Sequence, residues 1–271
     1  MTAAERIGAW ACAALILSTT GSVALAAEGL VSHRAIYRIA LSSTQPQSSV
    51  TAAKGAMHYS FAETCDGWNV ENQTFISFSY TEGTTAETTW SFASTESKDG
   101  LRYRFRVRND RDGETVDRLQ GDATLKARGA AGVARFVQPE AEEVELPAGT
   151  LFPTRHVQEL LAAARAGTKS FNRVVFDGSS QDNPYEVSAV MLSPIAADGA
   201  PRPKGLGPSR IWPVQLAFFP HDGQGDLPEF ELSVRYREDG IADRLVQDVD
   251  DIVLDLELTE IELLPKPTCQ P

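Results

Sequence analysis

Few residue groups in this chain have the types and spacing that chemistry requires. The segment Leu101-Arg102-Tyr103-Arg104-Phe105-Arg106-Val107-Arg108 alternates strictly between apolar and basic side chains. In a strand, residues two apart share a face at about 7 Å. Arg102, Arg104, Arg106 and Arg108 then form one row of guanidiniums, a candidate grip for an acidic partner or a phosphate headgroup. The competing expectation is cross-strand neutralisation by acids such as Glu229 and Glu231 or Asp255 and Glu257. A formal net charge of −12 supplies acids in excess and favours that pairing. The same charge argues against nucleic acid as a partner.

The other candidates are weaker. His33, His58, His156 and His221 are scattered along the chain. His156-x-x-Glu159 is the nearest approach to a zinc-binding helix, and it lacks the second histidine. Solvated or capped histidines and no metal are therefore expected. Asp222-Gly223-Gln224-Gly225-Asp226 begins like a calcium loop but lacks the remaining ligands and the terminal glutamate, so it reads as a turn. Glu140, Glu142, Glu143 and Glu145 read as a solvated acidic face. No G-x-S-x-G or C-x-x-C motif is present. The chain is expected to be non-enzymatic and to carry no cofactor.

The cysteines carry more information. Residues 1–26 have the layout of a secretory signal peptide: Arg6, an apolar run from Ile7 to Leu17, and Ala24-Leu25-Ala26 at the cleavage point. Cys12 would leave with it. Cys65 and Cys269 then remain in an exported chain, where two cysteines allow one intramolecular pairing. Closing so long a loop is worth roughly 5 kcal/mol on the chain-entropy model.

Period-two alternation dominates the elements that must position these residues. Strands are expected at Ala35–Leu41, Ala56–Phe61, Trp68–Tyr80, Thr88–Thr95, Leu101–Asn109, Val116–Leu119, Ala123–Ala127 and Val133–Val137. Further strands are expected at Ser170–Phe176, Tyr185–Leu192, Ile211–Phe219, Phe230–Tyr236, Ala242–Asp248 and Ile252–Leu263. Cys65-Asp66-Gly67 reads as a hairpin tip in which glycine takes positive φ. One helix opens at Pro153, with Val157, Leu160, Leu161 and Ala164 on one face and Gly167 ending it. Ala196 to Pro208 is a loop. The expected fold is mainly β: a strongly curved antiparallel sheet, open-barrel-like, with one central α-helix, in a single domain over 27–271. Its last strand, Ile252–Leu263, is expected to close the sheet. Phe75, Phe78, Tyr80, Trp90, Phe92, Trp212, Phe218 and Phe219 are expected in the core. Lining a concave face that receives an acyl chain is the other possibility.

With these residues in view, the chain resembles the EipB family of α-proteobacterial cell-envelope integrity proteins. The resemblance rests on the signal, Ser32-His33-Arg34-Ala35-Ile36-Tyr37, the Gly55-to-Trp68 hairpin with Cys65-Asp66-Gly67-Trp68, Leu151-Phe152-Pro153-Thr154-Arg155-His156, and the late Cys269. It implies a monomeric periplasmic β-spiral with a disulfide at Cys65 and Cys269. It further implies a role in envelope integrity and stress resistance, and a link to a periplasmic tetratricopeptide-repeat protein. The spiral is similar to LolA, LolB and RseB, so carriage of lipids or lipoproteins follows by fold-level analogy. The leading expectation is an envelope-maintenance protein that acts by binding. A lipid or lipoprotein carrier is the first alternative and a hydrolase of envelope polymers the second.

Overall fold

The computed structural model describes residues 29–181, 183–221 and 227–269. The signal peptide and the Asp222–Asp226 turn of the sequence reading lie outside them. Fourteen strands and one helix follow in chain order. The first eight strands are β1 (His33–Thr44), β2 (Val50–Glu63), β3 (Gly67–Tyr80), β4 (Thr85–Ser97), β5 (Arg102–Arg111), β6 (Glu114–Leu125), β7 (Gly132–Gln138) and β8 (Glu142–Leu146). Helix α1 (Pro153–Arg165) comes next. Then come β9 (Ser170–Val175), β10 (Tyr185–Met191), β11 (Ile211–Pro220), β12 (Phe230–Arg237), β13 (Ala242–Val249) and β14 (Ile252–Leu263).

All fourteen strands form one antiparallel sheet in the order β8-β7-β6-β5-β4-β3-β2-β1-β14-β13-β12-β11-β10-β9. The chain is two meanders joined at β1 and β14, which pair from His33↔Leu263 to Thr44↔Ile252. The expectation that Ile252–Leu263 closes the sheet is therefore corrected. β14 lies at its middle, and the free edges are β8 and β9. Helix α1 lies in the connection between those two strands, which do not pair. The β9 edge is partly covered by Leu151, which makes a parallel bridge to Val175. The β8 edge carries Glu142, Glu143 and Glu145, charges that discourage pairing with another strand. The acidic run read as a solvated face is thus an edge strand, anchored by the buried Leu146.

Alternation decides which faces are buried. In β5, Tyr103, Phe105 and Val107 point inward while the arginines between them are exposed. Val116–Leu119 and Ala123–Ala127 are one strand, β6, because register shifts absorb the break in pattern. At Asp112-Gly113 both φ angles are positive, 52° and 85°, as a two-residue turn of the primed type requires. Gly67 differs. It has no positive φ, and a Cβ there would overlap the Glu96 carbonyl oxygen, so glycine is needed for close approach of β3 to β4. Cys65 does sit at the β2–β3 tip, bonded to Cys269 with Cα atoms 5.5 Å apart and 204 residues between them.

Helix α1 begins with Pro153 at its first turn and Phe152 at the N-cap. No side chain of the segment caps it. Thr154 lies in the first turn, and the cap comes from elsewhere in the sheet. The Thr154 and Arg155 N–H groups donate to the Glu96 carboxyl at 2.7 and 3.0 Å. At the other end Arg165 donates to Glu238 at 2.7 Å, and Trp212 Nε1 donates to the same carboxylate at 3.1 Å. His156, Leu160, Leu161 and Ala164 are buried against the sheet. The interior divides into three apolar clusters: one around α1 and β9–β12, one of Tyr103, Phe105, Phe136, Phe152 and Phe176, and one across β1, β2 and β14.

Candidate functional site

A single helix does not fill the middle of so long a curved sheet. Where the three clusters meet, a cavity of about 220 Å³ remains. Its walls draw on all of them: Tyr37 and Met57 from the β1–β2 side, Phe92 from β4, and Val157, Tyr236 and Leu245 from the α1 side. The alternation of β1 to β4 turns these residues inward, and Pro153 and Thr154 of α1 close one side. No Lys, Arg, Asp or Glu lines it.

The polar groups of this wall are few. His33 Nδ1 lies 2.7 Å from the Val31 carbonyl oxygen. A carbonyl only accepts, so the ring proton is on Nδ1. Nε2 is buried without a partner, beside the Tyr59 and Phe61 rings at 5.6 and 6.2 Å. Burial holds the His33 pKa below its ordinary value, against the Val31 hydrogen bond and Asp239. The imidazole is neutral. Asn72 Nδ2 approaches Met57 Sδ at 3.2 Å. The Tyr37 hydroxyl donates to the Ala242 carbonyl at 2.8 Å, and Ala242 is the cross-strand partner of Tyr236. Burial pushes the Tyr59 phenol up to about 12. The Tyr236 phenol is raised by burial and by Tyr59. Tyr37 is raised by burial, then by Tyr59, Tyr236 and Asp243. Burial thus keeps all three phenols protonated, in a hollow without charged side chains that can hold a neutral, largely apolar group.

The arginine row lies on the outer face, away from the cavity. All four guanidiniums are exposed. Their strand pairs with β4 and β6, which corrects the expected pairing with the acids of β12 and β14. Local hairpins place Arg104 between Thr95 and Asp122, Arg106 between Ala93 and Gln120, and Arg108 between Ser91 and Arg118. Glu257 instead accepts from Arg38 at 2.7 Å, and Asp255 from Arg244 at 2.8 Å. Arg108 pairs with Asp110 at 2.8 Å, whereas Arg102, Arg104 and Arg106 form no ion pair among the described residues. The double variant Arg104→Gln, Arg106→Gln is accordingly expected to shift Tm by no more than about 2 °C in a thermal melt. A fall beyond about 4 °C would show that the row is structural.

The remaining candidates disperse. No group of metal-ligating side chains occurs among the described residues. The expectation of solvated or capped histidines fails at His156, which is buried with Nε2 unpartnered and its pKa pushed down to about 4 by burial; His33 is buried too, but capped by the Val31 carbonyl. His221 lies 3.0 Å from Glu186. Of the eight aromatics singled out, only Phe92 lines the cavity. Trp212 is core, Phe218 stacks on Phe230 at 4.2 Å, and Phe75 is exposed. Tyr59 and Tyr236 escaped the sequence reading because an inward tyrosine in an alternating strand looks the same whether it packs or faces a hollow.

Comparison with known proteins agrees with this architecture. The EipB-like family profile matches residues 24–265. A curated relative, the cell envelope integrity protein EipB of Brucella abortus (strain 2308), is 28% identical over 267 residues, covering 95% of this chain and 94% of its own. A crystal structure of a β-barrel-like protein of domain family DUF1849 from Brucella abortus superimposes with a TM-score of 0.80 at 26% identity. It covers 88% of this chain and 99% of that one.

Proposed function

Because the chain belongs to the EipB-like family, we propose that it serves cell-envelope integrity in the periplasm as a binding protein. Its interior cavity receives an apolar group of an envelope component. The cavity itself carries this reading: apolar walls around a neutral imidazole, hydroxyls and an amide can hold a ligand. They offer no carboxylate pair, and no hydroxyl is hydrogen-bonded to His33 Nε2. A binding role is favoured over hydrolysis on that ground. The decisive experiment is native mass spectrometry of protein released gently from periplasm, with organic extraction of whatever it carries. A mass surplus matched by an extractable amphiphile is expected. A clean apo mass and an empty extract would turn attention to a protein partner.

That second reading has its own support in Arg102, Arg104 and Arg106, which are exposed and form no ion pair among the described residues, although Asp122 lies across from Arg104. They would dock an acidic face, for instance on the tetratricopeptide-repeat protein that the family resemblance implies.

A further inference from the structure

The phenols of the cavity define its ligand more narrowly. Tyr59 lies two residues beyond Met57 on the inward face of β2, and Tyr236 faces it from β12. Neither hydroxyl has a hydrogen-bond partner among the described residues. Tyr37 differs, since its proton is already committed to the Ala242 carbonyl. Both residues are half-buried, and their oxygens are not among the sealed-off polar atoms, so the two O–H donors open on the hollow with no protein acceptor in place, and an acceptor atom of a ligand that enters finds them free. His33 Nε2, a buried acceptor on the same wall beside the Tyr59 and Phe61 rings, takes no proton from either phenol. No cationic side chain lines the wall to neutralise a carboxylate or a phosphate, and moving an unpaired anion into such a place is unfavourable. A cavity of about 220 Å³ is small for a ligand site, with room for one short chain.

We propose that the cavity binds the carbonyl end of an uncharged acyl chain, an ester or amide. Its oxygen accepts from the Tyr59 and Tyr236 hydroxyls while the chain lies against Met57, Phe92, Val157 and Leu245. The inference rests on the binding reading above and narrows it to neutral acyl esters and amides, with free fatty acids excluded.

The probes are methyl octanoate, octanoate at neutral pH, and toluene as an apolar probe that lacks a carbonyl. Calorimetry with the full mature protein is compared between wild type and the double variant Tyr59→Phe, Tyr236→Phe. Phenylalanine keeps both rings, and circular dichroism and Tm check that the variant folds. The ester is expected to bind wild type more tightly than octanoate. The double variant should lose roughly tenfold or more in ester affinity, since two neutral hydrogen bonds go, while its toluene affinity holds. The ester carbonyl stretch in the infrared should lie lower in frequency on wild type than on the variant. Equal ester affinity and equal frequency in the two proteins, with toluene bound by both, would overturn the carbonyl assignment and leave the binding cavity standing. Octanoate binding as tightly as the ester would overturn the exclusion of anions. Binding of neither ester nor toluene would remove both the inference and the cavity reading.

Discussion

Cys65→Ser and Cys269→Ser are each expected to lower Tm by about 5–15 °C in oxidising buffer, from a loss of roughly 2–5 kcal/mol. The bond spans 204 residues, so an unfolded chain freed from it gains loop entropy worth about 5 kcal/mol at most. The position of the bond directs that constraint to one seam. Beyond β14 the chain runs antiparallel past Ser32, with Leu264 N–H donating to its carbonyl at 2.8 Å, and reaches the β2–β3 tip at Cys65. The cross-link therefore pins the C-terminal tail beside the β1–β14 pairing, the long-range contact that joins the two meanders. The double variant should match either single one, because both remove the same bond. Reductant should bring wild type to the same Tm. Unchanged melting in all three would mean that the tail unpins without loosening the sheet.

The sequence carries this seam only in part. Ile252–Leu263 shows its strand bounds through alternation alone, and the Cys65 tip shows through its turn. Neither says that β14 lies beside β1 at the middle of the sheet, because alternation records which side of a strand is buried and nothing about its neighbour. The same gap misdirected the arginine row. Its spacing and exposure were legible, while its neighbours were set by short hairpins to β4 and β6, so distant acids had no access. Gly67 shows a second kind of limit. Asp-Gly marks a turn, yet the reason for glycine is the nearness of the Glu96 backbone, a contact across strands. The family resemblance located the fold. Tyr59 and Tyr236 became visible as a site only when the three core clusters were seen not to merge.

Glu96 makes the same kind of hidden contact, between β4 and the first turn of α1. Glu96→Ala is expected to cost about 3–5 kcal/mol, since it strips the buried Thr154 and Arg155 N–H groups of their acceptors and leaves a void. The pH dependence gives a sharper test. Burial pushes the Glu96 carboxyl up to about 7, against the Thr154 and Arg155 hydrogen bonds and the Arg155 charge that pull it down. The reference value for the unfolded chain is 4.5. The folded protein then holds the proton more tightly than the unfolded one. Its contribution to stability is full below about pH 4.5 and is lost as pH rises through 7, a span worth roughly 3 kcal/mol. His33 and His156, with lowered pKa values, act in the opposite sense, because their contribution is lost as pH falls. Wild type must therefore be compared with Glu96→Gln, which keeps the histidines and removes only the carboxyl titration. The glutamine amide turns an N–H₂ toward one of the two backbone donors, so the variant starts about 1–3 kcal/mol less stable at pH 4.5. That deficit should shrink steadily and vanish or reverse by pH 8 in denaturant melts. A deficit that stays constant across this range would show that Glu96 is ionised in the folded state throughout, held by the helix N-terminus it caps.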